Sequence, residues 1–177
     1  LVQCGHRFHT GTDTEVLLAA FAEWGSHSLT RFRGMFALAL IDMQRREVLL
    51  ARDPFGIKPL YYSRLADGGF AFASEMKALT LLSGVTSNVH AESLYQFLRF
   101  GLSDHGDRTM FADILQIPAG HLMRIRMDGI TSPSPVRYWS LPERTGSARN
   151  AEDAAEIVLQ ALSTSDSLHM RTDVPVG

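Results

Sequence analysis

Cysteine is nearly missing: Cys4 stands alone among 177 residues. No internal disulfide and no multi-cysteine metal site can form, which suits a reducing compartment. Neither sign of charge dominates. Seventeen Lys and Arg face 19 Asp and Glu, a formal net charge of −2. A dedicated nucleic-acid or anionic-membrane surface is not expected from that balance. Long apolar runs are absent as well. Met35 to Ile41 is among the longest, well below the ~18–20 residues of a membrane-spanning helix. No basic flank leads into an apolar stretch at the start, as a signal peptide requires. There is no Gly-x-Gly-x-x-Gly and no Walker-type loop. Neither Asn88 nor Asn150 lies in a glycosylation sequon, and together these absences predict a cytoplasmic protein.

What is present is an ordinary globular composition, 45% hydrophobic and 20% charged. At ~100–200 residues per domain the length allows one domain, or one and a piece of another. Leu1 in place of Met, and a tail of Asp173-Val174-Pro175-Val176-Gly177 with no stop signal, predict a piece of a longer chain.

Thr12-Asp13-Thr14-Glu15 has the spacing of a capping box, with Thr12 as cap and Glu15 reaching back. Leu17, Leu18, Phe21 and Trp24 follow at helical spacing to Gly25, and a short helix or turn holds Leu29 and Phe32. The period then changes. Met35 to Ile41 predicts a buried strand, Asp42 to Arg46 a turn and Val48 to Ala51 the returning strand of a hairpin. Asp53-Pro54-Phe55-Gly56 suits a type I turn. Leu60 to Ser63 and Phe70 to Ser74 predict two further strands around Asp67-Gly68-Gly69. Ser74 suits the N-cap of a helix over residues 75–82. Leu94, Phe97 and Leu98 predict a helix stopped at Gly101, and His121 to Arg126 a strand before an Asp128-Gly129 turn. Residues 142–150 have nothing to bury and read as a linker. Ala154, Ile157, Val158, Ala161, Leu162, Ser165 and Leu168 share one face of a final helix.

Seven segments carry a resemblance when taken in order: His9–Val16, Phe32–Ala39, Arg52–Tyr62, Ala73–Leu79, Pro118–His121, Tyr138-Trp139 and Asp173–Gly177. Together they resemble the glutamine-hydrolysing asparagine synthetases, which are class II glutamine amidotransferases. The resemblance spans essentially the whole chain. It implies an α+β fold: a four-layer αββα Ntn-hydrolase sandwich, incomplete here, then the first helix of an α/β ATP pyrophosphatase domain. It divides the chain into a glutaminase part at 1–141, a linker at 142–150 and the start of the synthetase domain at 151–177. It implies a parent enzyme that hydrolyses glutamine to ammonia and transfers it to adenylated aspartate. ATP and Mg2+ serve that parent, and a homodimer is compatible with it. The family's N-terminal Cys nucleophile would lie upstream of Leu1 and its pyrophosphate-binding loop beyond Gly177. The chain alone is therefore expected to be inactive, with no catalytic, cofactor or metal residue of its own. A related amidotransferase with a peptide, β-lactam or sugar acceptor stays open, as does a non-catalytic glutamine-binding or scaffold remnant.

Asp13 is the one site residue the resemblance carries over, as the partner of the glutamine α-ammonium. The residue alone also fits a simpler role, a carboxylate complementing the helix dipole and held by nearby backbone N–H groups. Cys4-Gly5 imitates the family nucleophile. Three residues precede Cys4, so it has no free α-amine to act as base, and a buried or half-buried thiol is expected. His6 and His9 lack further ligands at useful spacing and read as surface or strand-edge residues. Arg52, Asp53 and Lys58 are expected to hold the Pro54–Gly56 turn by local hydrogen bonds and a solvated ion pair. Glu75, at a strand-to-helix junction expected to face the other domain, is taken as architectural.

Overall fold

The computed structural model describes residues 1–103, 106–128, 133–143 and 150–170. The chain divides into two compact units, Leu1–Trp139 and Ser140–Gly177. Gly129, residues 144–149 and the 173–177 tail, all used above, lie outside the described residues.

In the first unit the expected hairpin forms between β1 (Ala37–Asp42) and β2 (Glu47–Arg52). Their register pairs Ala37 with Arg52 and Asp42 with Glu47. Asp42 makes the turn: its Oδ1 accepts from the N–H groups of Gln44 (3.0 Å) and Arg45 (2.9 Å), the local bonding that suits Asp to turns. β2 is central and pairs on its other side with β6 (His121–Arg126), which pairs with the short β7 (Val136–Arg137). A second sheet has the order β4-β3-β5, from β3 (Tyr61–Arg64), β4 (Phe70–Ala73) and β5 (Leu115–Gln116). All strand pairs in both sheets are antiparallel.

The two sheets share a core. Leu50 from β2 and Met123 from β6 meet Tyr62 from β3, with Leu60 and Ile117 beside them. Tyr62 stacks on Phe70 at 5.2 Å between ring centroids. Burial pushes the Tyr62 hydroxyl upward in pKa, with a smaller contribution from the Asp107 charge. β2 is buried on both faces, because Leu49 and Ala51 are covered as well as Leu50. That is why its apolar run is continuous rather than alternating. Outside the first sheet, a cavity of about 370 Å³ lies between α1 (Asp13–Trp24) and the hairpin, lined by Leu18, Phe21, Leu40 and Leu49. On the second sheet, Ala71 and Ala73 pack with Leu79 and Met76 of α2 (Met76–Leu79), Val85 and Ile114.

Three local expectations need correction. The Met35–Ile41 run is not a buried strand. The strand begins at Ala37, lies at the sheet edge and leaves Ala39 and Ile41 exposed. The helix expected over 75–82 is the single turn α2, preceded by an extended Glu75, and Ser74 does not cap it. Gly84 at φ +90° turns the chain there and lets Val85 enter the core. Thr12 sits at the N-cap position of α1, but its side chain makes no cap bond.

α3 (Ala91–Phe100) ends as expected, with Gly101 at φ +69° donating to the Phe97 carbonyl at 2.8 Å. Its Ser93 and Gln96 are half-buried, and it exposes Leu94, Phe97 and Leu98. In the second unit, α4 (Ala151–His169) is capped by Asn150, whose Oδ1 accepts from the Asp153 N–H at 2.8 Å. Its stripe of Ile157, Val158, Leu162 and Leu168 is exposed. Among the described residues no helix is long and apolar enough to cross a membrane.

Candidate functional site

Asp13 opens α1, and the loop before it is fastened by one side chain. Glu15 passes over Thr12 and accepts from the backbone N–H groups of His9 (2.9 Å) and Thr10 (2.8 Å). It also accepts from the Thr10 hydroxyl at 2.6 Å. Neither half of the expected capping box forms: the Thr12 hydroxyl turns to Thr10 Oγ1 at 2.9 Å, and Glu15 makes a longer clasp onto His9 and Thr10 instead of the Thr12 N–H. The Thr10 hydroxyl, then the two backbone donors, hold the Glu15 carboxyl below its usual pKa.

The clasp leaves Asp13 on the first turn with an exposed side chain. Its carboxylate has no hydrogen bond or ion pair with any described residue. The expectation that nearby N–H groups hold it is corrected: Glu15 takes the loop's donors instead. Asp13 therefore stands at the helix end where an anion is favoured, with its oxygens free for a cationic group.

Cys4 is exposed, contrary to the expected burial, because it closes a short 3₁₀ turn at Val2–Cys4. His6 does not pair with His9. Its Nε2 lies 3.1 Å from Glu23 on α1, while His9 contributes its backbone N–H to the clasp.

The Arg52–Lys58 segment is a buried polar centre, and the expected solvated ion pair is absent among the described residues. Arg52 is 6% exposed and Asp53 1%. Asp53 Oδ1 accepts from the N–H groups of Phe55 (3.0 Å) and Ile57 (3.1 Å), and Oδ2 from that of Lys58 (3.0 Å). Arg52 donates to the carbonyls of Lys58 (2.8 Å), Gly56 (2.7 Å) and Ile117 (2.9 Å) and to Gln116 Oε1 (3.0 Å). Lys58 contributes its backbone only, and its side chain is exposed. Neutral dipoles, all main-chain except the Gln116 side-chain carbonyl, thus satisfy each buried charge separately, which is what burial demands.

This centre gathers segments distant in sequence. Asp53 N–H donates to Phe36 O (2.8 Å), Gly120 N–H to Asp53 O (2.9 Å) and the Tyr138 hydroxyl to Arg52 O (2.7 Å). Burial, then the Asp53 charge, raises the Tyr138 pKa. Gly56 and Gly120 fit by lacking side chains. A Cβ at Gly56 would lie 3.1 Å from Ala119 Cβ, and one at Gly120 would lie 3.0 Å from Trp139 O. No hydrogen bond or ion pair among the described residues joins this centre to Asp13. Glu75 forms an exposed ion pair with Lys77 at 2.7 Å, which raises the Lys77 pKa.

Sequence reasoning missed Gln116 and Tyr138 as partners of Arg52. The available signal was a charge continuing the buried run Val48-Leu49-Leu50-Ala51, which must find acceptors.

The family model described as the glutamine amidotransferase domain matches residues 1–139. Asparagine synthetase (glutamine-hydrolyzing) 1 of Bacillus subtilis is 34% identical over 174 residues, 98% of this chain and 26% of that protein. A putative asparagine synthetase (glutamine-hydrolyzing) of Mycobacterium tuberculosis H37Rv is 36% identical over 180 residues, 99% of this chain and 27% of that protein. Asparagine synthetase (glutamine-hydrolyzing) 3 of B. subtilis is 29% identical over 172 residues, 97% of this chain and 27% of that protein. The chain thus spans about a quarter of the length of the curated relatives it matches.

Proposed function

The chain belongs to the glutamine amidotransferase domain family, and from that premise we propose that it serves in a glutamine-dependent asparagine synthetase. The observation that carries the reading is the similarity to proteins named as such, at 34–36% identity across 98–99% of this chain. A related amidotransferase with another acceptor, and a non-catalytic remnant, are not favoured by it.

In this reading residues 1–141 are the glutaminase part, in a four-layer Ntn-type arrangement. Residues 142–150 are the linker and 151–177 open the ATP pyrophosphatase domain. The two antiparallel sheets with a shared core and the apolar stripe offered by α4 support that division. The whole enzyme is assigned to the cytoplasm, with glutamine, aspartate and ATP as substrates and a homodimer as its assembly.

Asp13 binds the α-ammonium of glutamine. Its free carboxylate on the first turn of α1 supports this role, and the Glu15 clasp sets its direction. A charge-assisted hydrogen bond of this kind is worth ~1.5–3 kcal/mol, which selects an amino acid over a simple amide. The Arg52–Asp53 centre supports the frame and touches no substrate. The nucleophile and its oxyanion donors belong to residues outside this chain, so the chain alone releases no ammonia from glutamine.

ATP with Mg2+ would activate aspartate in the synthetase domain.

The test is to supply the full protein containing this chain with glutamine, aspartate and ATP. Asparagine should form in step with glutamate. Glutamate released with no asparagine would reject the acceptor assignment.

A further inference from the structure

α3 carries its apolar side outward. Its half-buried side chains are the polar Ser93 and Gln96, while Leu94, Tyr95, Phe97 and Leu98 are 36–74% exposed. Positions 94, 95, 97 and 98 share one side of a helix. The exposed Phe100, whose ring meets Tyr95 edge-on at 6.3 Å, and the exposed Leu102 extend that side past the helix end. An ordinary surface helix does the reverse and buries its apolar stripe. Among the described residues α3 packs on no other helix or strand. Its start is fastened by His90 N–H donating to Met110 O (2.9 Å) and by the Val89–Phe111 bridge. A ten-residue helix does not persist on its own propensity, so the outward face needs a cover.

The size of the face suits a second copy of the same face. Six side chains at these exposures present on the order of 600 Å² of apolar surface, the upper limit of what a single chain leaves bare. Two such faces brought together would bury ~1,200 Å², enough for a specific interface.

The charges on its rim are self-complementary. Glu92 and Arg99 are both exposed, and neither joins an ion pair among the described residues. They stand two helical turns apart and so lie on one flank of the face, next to Tyr95. When two copies of a helix meet antiparallel about a twofold axis, like flanks meet. A pairing that sets Leu94 against Phe97 of the second copy sets Glu92 against Arg99 of the second copy. The symmetry makes each of these contacts twice.

We propose that α3 is a self-pairing surface, through which two copies of the protein associate antiparallel with Glu92 of each against Arg99 of the other. The proposal rests on the homodimer assigned above and names the surface that forms it.

The experiment is sedimentation equilibrium of the full protein containing this chain. The unsubstituted protein should be a dimer. E92R and R99E each turn attraction into repulsion at both charge contacts, and each should raise the dimer Kd about tenfold. An equimolar mixture of the two variants should regain the original Kd, because both contacts then join opposite charges. An unsubstituted protein that stays monomeric would overturn the homodimer and the proposal together. A dimer indifferent to E92R and R99E, or a mixture no tighter than either variant alone, would overturn the α3 surface and leave the homodimer standing.

Discussion

At the residue scale, Arg52 and Asp53 separate what the sequence conceals from what it displays. The Arg-Asp-Pro-Phe-Gly-Ile-Lys run reads as a surface turn with paired charges. The structure instead buries two of the charges and satisfies each on main-chain groups. Arg52 finds Ile117 and Gln116 more than sixty residues away, and no spacing within the run announces partners so distant. Local bonding was more legible. The Asp42 turn, made by a side chain, and the Gly101 stop, made by a left-handed backbone, both act within four residues. The consequence is measurable by urea unfolding. Asp53→Ala leaves the N–H groups of Phe55, Ile57 and Lys58 without their acceptor and should cost roughly 3 kcal/mol. Lys58→Ala removes only an exposed side chain and should stay within about 0.5 kcal/mol. Equal losses would mean that the Lys58 ammonium, not the Asp53 carboxylate, organises the turn.

Glu15 yields a pH prediction at the same scale. Its pKa is lowered by the Thr10 hydroxyl first and by the His9 and Thr10 amides next. A carboxyl with a lowered folded pKa stabilises above its unfolded value, and that contribution is lost as pH falls through the folded value. The loop before Asp13 should therefore loosen only as pH falls below the usual carboxylate range. Glu15→Gln should loosen it already at pH 7, measured by limited proteolysis or exchange over residues 8–14. A loop equally firm in Glu15→Gln at pH 7 would remove Glu15 from the account.

At the element scale, position in the sheet decided which readings held. β2 is central, so its apolar run is buried on both faces. β1 has similar composition but lies at the edge and is half exposed. Composition ranks the two strands alike, and only their neighbours distinguish them. The one-turn α2 shows the same limit, since tertiary packing of Val85 after Gly84 overrides the helical pattern of residues 75–82. α4 forms where its apolar stripe predicts a helix, and Asn150, read as the end of the linker, caps it. Its Ile157, Val158, Leu162 and Leu168 are exposed, and an isolated helix without tertiary burial is marginal in water. On the chain of residues 1–177, α4 amides should exchange rapidly while those of residues 35–75 are protected. Equal protection in both would show that the stripe is covered.

At the whole-molecule scale, the local antiparallel pairs β1–β2 and β3–β4 were legible, because period-2 segments joined by short turns pair with each other, while the β2–β6 and β3–β5 pairings join segments far apart in sequence. The proposed role of Asp13 rests on the ordered motifs, since an acidic residue in a first helical turn is common for dipole reasons alone. The structure adds that this carboxylate is free and that the loop beside it is clasped by Glu15. The central claim is that Asp13 recognises glutamine and takes no part in the use of ammonia. The most direct test is asparagine formation by the full protein carrying Asp13→Asn, with glutamine and then with an ammonium salt as nitrogen source. With glutamine, kcat/KM should fall about tenfold or more, mainly through KM, because the substrate ammonium loses its charged partner. With ammonium salt the rate should be unchanged. Equal loss with both nitrogen sources would make Asp13 a folding residue, and no loss with either would make it only the dipole partner of α1.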